Sequence, residues 1–155
     1  LENVALAAQA HMGSSFRFFR SVRHDEPVLS HARACLARVG LAAEADRVTR
    51  TLPHGGHRRM EIAIALAAKS ELMLLDEPMA GLGTDESQDI IALLRALKGE
   101  QTIVLIEHDM DAVFALADRI SVLVYGHIIA CGTPDEIRQN AEVRAAYLGE
   151  ESEGV

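Results

Sequence analysis

Two short apolar runs each end in a cluster of polar residues whose types suit phosphate chemistry. Leu72-Met73-Leu74-Leu75 delivers Asp76-Glu77, and Ile103 to Ile106 delivers Glu107-His108-Asp109. In open α/β sheets ligands bind at the carboxyl ends of the strands, so both clusters are expected to face one crevice. An aspartate directly after such a strand can hold magnesium through oxygen while waters and substrate phosphates fill the other positions. The next carboxylate, Glu77, can then polarise an attacking water. Read alone, Asp76-Glu77-Pro78 is equally a polar strand end, as acidic-Pro sequences often are. An isolated histidine such as His108 is more often a half-buried polar residue or a helix cap than a ligand.

The elements that must position these groups are legible in the periodicity. Leu1 to His11 reads as helical. Leu29, Ala32, Leu36 and Val39 keep helical spacing and run into Gly40-Leu41, a stop with glycine in the left-handed position; Asp25 to Pro27 opens that helix. Gly13-Ser14-Ser15 and the basic-aromatic stretch Phe16 to Arg23 read as an irregular excursion. Met60, Ala63, Ile64 and Ala67 predict a helix, Leu72 to Leu75 a buried strand, and Ile90, Leu93, Leu94 and Leu97 another helix. Ile103 to Ile106 predicts a strand, Val113 to Ala117 a helix and Ile120 to Tyr125 a strand, with Gly126 to Ile129 a hairpin turn into a short partner. Such alternation implies a parallel sheet. Thr133-Pro134-Asp135-Glu136 is a helix start with capping threonine, proline in the first position and glutamate three residues on, opening two short tail helices. Glu150 to Val155 is expected to fray.

Composition narrows the function. The 155 residues are 49% hydrophobic but only 4% aromatic, with no Trp, so one sizeable core must be built from Leu, Ile, Val and Ala. A net charge of −8, from 15 basic against 23 acidic residues, argues against a nucleic-acid partner, which needs clustered Lys and Arg. Cys35 and Cys131 lie far apart with no C-x-x-C spacing, which supports a reducing compartment rather than a disulfide or zinc framework. No apolar run approaches the roughly 20 residues of a spanning helix. The first residue is Leu1 and no signal-peptide pattern follows it, which suggests a truncated chain.

Taken together, the motifs resemble the ATP-binding-cassette (ABC) family over essentially the whole chain. Leu72-Met73-Leu74-Leu75-Asp76-Glu77-Pro78 looks like its Walker B strand, Ala80-Gly81-Leu82-Gly83 stands at its D-loop, and His108 at its switch histidine. Leu52-Pro53-His54-Gly55-Gly56 occupies the signature position before Arg58-Arg59-Met60-Glu61-Ile62-Ala63. Leu1-Glu2-Asn3-Val4, Cys131-Gly132-Thr133-Pro134-Asp135-Glu136-Ile137 and Tyr147-Leu148-Gly149-Glu150 are similar to the ATPase subunits of branched-chain amino-acid importers.

The resemblance implies an α/β fold, a P-loop NTPase-like parallel sheet with flanking helices plus part of the α-helical subdomain. It divides the chain into residues 1–70 (helical subdomain and signature helix), 71–132 (C-terminal half of the nucleotide-binding core) and 133–155 (helical tail). It implies ATP and magnesium as cofactors, with Asp76 supporting the metal, Glu77 as general base and His108 on the γ-phosphate. Pro53, His54, Gly55, Gly56 and Gly83 would bind a nucleotide shared with a second ATP-binding subunit. Transmembrane permease subunits and a place on the cytoplasmic face of the membrane follow from the same likeness.

Three departures bear on activity. Pro53 replaces the signature serine, Gly56 the usual glutamine, and Gly83 an aspartate common in the D-loop. His54-x-x-His57 invites a metal reading, but no third ligand stands nearby. The chain contains no G-x-x-x-x-G-K-[ST] phosphate loop, so tight ATP binding by these residues alone is not expected. The alternative reading is a non-catalytic fragment or degenerate module.

Overall fold

The computed structural model describes residues 1–11 and 25–148, the side chains of residues 147 and 148 excepted. The excursion expected at Gly13 to Arg23 and the frayed end from Glu150 lie outside those residues, save that Asp25 to Pro27 does open a helix. The chain divides into two compact units after Ile106.

In the first unit α1 (Glu2–His11), α2 (Glu26–Arg38) and α3 (His54–Ala67) pack on one another. Small residues let them approach: Ala5 and Ala8 of α1, Ala32 of α2, and Ala63 and Ala67 of α3 are all buried. Leu36, Ile62, Val4 and Val28 fill the space between, each worth about 1.5–3 kcal/mol when fully buried. The end of α2 is the anticipated glycine stop. Gly40 has φ +74° and its N–H donates to Ala37 O (3.1 Å), while the Leu41 N–H reaches back to Leu36 O (2.8 Å) and the Leu41 side chain is buried.

Two strands, β1 (Leu72–Asp76) and β2 (Thr102–Ile106), pair in parallel from Leu72↔Thr102 to Asp76↔Ile106, joined through α4 (Thr84–Leu97). The run Leu72 to Leu75 is not buried on both sides as its composition suggested. Met73 is 2% exposed, but Leu72 and Leu74 are 53% and 64% exposed, and Val104 and Ile106 of β2 lie open on the same alternating face. A β-strand turns successive side chains to opposite faces, and among the described residues of this unit only one face of the pair is covered.

The second unit holds α5 (Met110–Leu116), β3 (Ile120–Val124), β4 (His127–Gly132), α6 (Pro134–Gln139), α7 (Ala141–Val143) and a π-helical turn over Arg144–Leu148. β3 and β4 form an antiparallel hairpin whose two turn residues, Tyr125 and Gly126, both have positive φ (+47° and +81°), the geometry a two-residue turn needs to match strand twist. Ile120, Val122, Ile137 and Val143 make its core, flanked by Val113, Phe114 and Ile129. The start of α6 is a complete capping box: Glu136 N–H donates to Thr133 Oγ1 (3.4 Å) and Thr133 N–H to Glu136 Oε2 (2.7 Å). Among the described residues no helix is long and apolar enough to cross a membrane.

Candidate functional site

Asp76 is the last residue of β1, opposite Ile106, and its carboxylate is exposed at the strand's carboxyl end. Glu77 continues the ladder by one bond, its N–H donating to Ile106 O at 2.8 Å, but with φ +45°. That left-handed conformation costs a side-chain-bearing residue about 1–2 kcal/mol. The following turn holds it there. Pro78 and Met79 are buried, Ala80 N–H donates to Glu77 O (3.0 Å), and Gly81 takes φ +76° before Gly83 becomes the N-cap of α4. Strained backbone of this kind collects at functional sites, where the surroundings over-determine it.

The second part is the first turn of α3. Pro53 is its N-cap, in extended conformation (φ −67°, ψ 169°), and its carbonyl accepts the His57 N–H at 3.0 Å. Proline has no side-chain acceptor, so the helix's leading N–H groups receive no cap from it. Gly55 and Gly56 are buried in this turn and His54 is exposed. A Cβ at Gly56 would lie 3.2 Å from Leu52 Cβ and 3.3 Å from Pro53 Cδ, so the residue type suits the Pro53 turn it sits against. A cleft of about 260 Å³ opens here, lined by Leu52, Pro53, Gly55, Gly56, Glu86 and Asp89 among others.

Sequence reading missed what braces this turn. Arg59 of α3 reaches Asp89 of α4 at 2.6 Å and also donates to Val39 O at 3.4 Å. Glu86, three residues after the α4 N-cap, accepts from Gly83 N–H at 3.4 Å and lies against Gly55. The signal was present in Gly83-Thr84-Asp85-Glu86, where glutamate stands at the third helical position, a capping-box place.

Glu107 and His108 follow β2 directly and belong to the second unit. The His108 N–H donates to Glu107 Oε2 at 3.3 Å, and Asp109 serves α5 as N-cap, its Oδ1 accepting the N–H groups of Asp111 (3.0 Å) and Ala112 (3.2 Å). Of the residues singled out by sequence, Pro53, His54, Gly55, Gly56, Asp76, Glu77 and Gly83 all lie in the first unit.

The donor chemistry fits the cofactors the sequence suggested. Magnesium takes hard oxygen ligands and is commonly held by only one or two carboxylates, which an exposed Asp76 at an open strand end can supply. Phosphate favours a helix N-terminus whose N–H groups lack a capping side chain, which is the state of α3.

The ABC transporter family model matches residues 3–80, half of the chain, and the model for branched-chain amino acid ATP-binding cassette transporters matches residues 127–153. The chain belongs to the ABC transporter family. It is similar to the high-affinity branched-chain amino acid transport ATP-binding protein BraF of Pseudomonas aeruginosa, 38% identical over 157 residues that cover 97% of this chain and 62% of that protein. LivG of Escherichia coli (strain K12), which carries the same description, is 42% identical over 130 residues, 83% of this chain and 51% of LivG. The chain thus spans roughly half to three-fifths of the length of these relatives. Among solved structures, the ADP conformation of an ATP-binding cassette of an ABC transporter superposes with a TM-score of 0.76 at 25% identity, covering 96% of this chain and 62% of that one. A nucleotide-free cassette gives 0.72 at 24% identity, covering 96% and 59%. The fold is therefore the α/β fold of the ABC ATPase domain, as the motifs implied.

Proposed function

We propose that these residues serve in the ATP-binding subunit of an ABC importer, coupling ATP hydrolysis to uptake of branched-chain amino acids. The observation that carries this reading is Glu77. A carboxylate is held at φ +45° directly after the Asp76 strand end, by a backbone bond to Ile106, where a glycine would be cheaper. The identities to BraF and LivG supply the solute class.

Magnesium-bound ATP supplies the electrophilic γ-phosphoryl group, and hydrolysis is mostly positioning and charge stabilisation. Within this chain Asp76 would hold the metal through oxygen, Glu77 would orient the attacking water and take its proton, and His108 would contact the γ-phosphate. The first turn of α3, at Gly55 and Gly56, would face the phosphates of a nucleotide bound by a second ATP-binding subunit, with Pro53, His54 and Gly83 around it. The partition into residues 1–70, 71–132 and 133–155 assigns permease contact to the helical part, catalysis to the middle and the subfamily-specific tail to the end. The protein would work at the cytoplasmic face of the membrane, beneath transmembrane permease subunits.

A non-hydrolysing module is the second reading, and Pro53 is the observation that favours it. With no hydroxyl at the N-cap, one hydrogen bond to a charged group is lost, worth about 1.5–3 kcal/mol. One experiment separates the two: ATP turnover by the complete subunit assembled with its permease in vesicles, with and without internal and external leucine, isoleucine or valine. Substrate-stimulated turnover that drops at least about a hundredfold in Glu77→Gln supports hydrolysis. Absence of turnover above that variant's level supports the non-catalytic reading.

A further inference from the structure

The N-terminal ends of α3 and α4 are joined by two carboxylates of α4, one in its first turn and one in its second. Glu86 lies flat against Gly55: a Cβ built on that glycine would sit 2.9 Å from Glu86 Oε1, 3.2 Å from Cδ and 3.5 Å from Cγ. One turn further along both helices, Asp89 pairs with Arg59 at 2.6 Å. The other oxygen of Glu86, Oε2, accepts the Gly83 N–H at 3.4 Å. Its neighbours Thr84 and Asp85 are exposed, whereas Glu86 is half-buried. A single carboxylate therefore touches both the turn that leads out of Asp76-Glu77 and the glycine turn of α3. The contact needs the full length of glutamate on one side and the missing Cβ of glycine on the other.

We infer that Glu86 is a positioning residue that holds the Gly55 turn in register with the Gly83 turn, so that α3 presents its N-terminus to nucleotide only when the Asp76-Glu77 turn is in place. The inference rests on the functional reading given above. Glu86 touches no reacting atom in this scheme. It acts through Gly55 by fixing where the α3 amides point, and a displacement of about 1 Å in such a group can cost up to a hundredfold in rate.

Its role as a helix cap and its role as a spacer depend on different properties. Stabilising the α4 N-terminus depends on negative charge in the first turn, which aspartate also provides. Reaching Gly55 depends on length, which glutamine keeps and aspartate lacks. The test is steady-state ATP hydrolysis by the complete subunit with its permease, for Glu86→Gln, Glu86→Asp and Glu86→Ala, with the thermal midpoint of each. The expected result is that kcat follows length: glutamine within about twofold of wild type, aspartate and alanine reduced about tenfold or more. The midpoint follows charge instead, with aspartate nearest to wild type. Activities that rank as the midpoints do, or an aspartate variant as active as wild type, overturn the inference and leave Glu86 a cap. Glu77→Gln run in the same assay separates the two levels. If it abolishes turnover while the Glu86 series is flat, only this inference fails. If wild type shows no turnover above Glu77→Gln, the functional reading fails and takes this inference with it.

Discussion

The Glu77 N–H bonds the Ile106 carbonyl at 2.8 Å, and that bond carries the β1–β2 pairing one residue past Asp76 into a left-handed backbone conformation. A strand end that only needed a polar turn would take glycine at this φ. The carboxylate is kept against a local cost, and the hydrogen bond and the buried Pro78-Met79 segment are what hold it.

Replacing Glu77 by Gly separates conformation from chemistry. Glycine tolerates φ +45°, so the change is expected to leave thermal stability unaltered or to raise it by up to about 1 kcal/mol while ATP turnover falls at least as far as in Glu77→Gln. Calorimetry alongside a phosphate-release assay checks both. A loss of stability above about 1 kcal/mol would mean that the side chain is structural.

Gly40 faces two demands at once. Its φ of +74° disfavours any Cβ, and one placed there would lie 2.9 Å from Arg59 Nη1, the side chain that also pairs with Asp89. Gly40→Ala is expected to cost about 1–2 kcal/mol by urea denaturation. Asp89→Ala, which removes one partner of an ion pair whose aspartate is 63% exposed, is expected to cost no more than about 1 kcal/mol and to lose its effect in high salt.

The two cysteines should react very differently. Ser121 Oγ–H donates to Cys131 Sγ at 3.3 Å, and that bond together with the Arg119 guanidinium draws the exposed Cys131 thiol below its ordinary pKa. Burial pushes the Cys35 thiol up. Mass-spectrometric tracking of iodoacetamide labelling near neutral pH is expected to show Cys131 modified well before Cys35, with Ser121→Ala slowing Cys131 and leaving Cys35 unchanged. Equal rates for the two sites would contradict the arrangement around β3 and β4.

Acid should loosen the tail through Glu136. Its hydrogen bonds with Thr133, first the backbone N–H and then the hydroxyl partner, hold its pKa below the usual carboxylate value. A depressed folded-state pKa gives stability that is complete above the unfolded value and is lost as pH falls through the folded one. The protection of the α6 amides, their exchange rate relative to that of an unstructured chain at the same pH, is expected to fall as pH is lowered through that acid range, and Glu136→Gln to flatten the dependence. Thr133→Ala, which removes the other half of the box, is expected to cost about 1 kcal/mol at neutral pH.

The sequence by itself determined the order of elements, the glycine stop at Gly40 and the capping box at Thr133, because each depends on neighbours within a few residues, and it implied the parallel β1–β2 pair through the strand–helix–strand alternation that needs a crossover. It also marked Asp76 and Glu77 as a strand-end pair. Tertiary structure alone decided which side of the apolar run finds cover among the described residues, Met73 buried and Leu72 and Leu74 not, because an apolar run reports a preference for burial and not which face is met. It alone decided that Glu77 is left-handed, since glutamate has no intrinsic bias toward positive φ and the conformation is imposed by the bond to Ile106. It decided too that Glu86 meets Gly55 across 30 intervening positions, a contact set by how α3 packs beside α4 and carried by no local pattern.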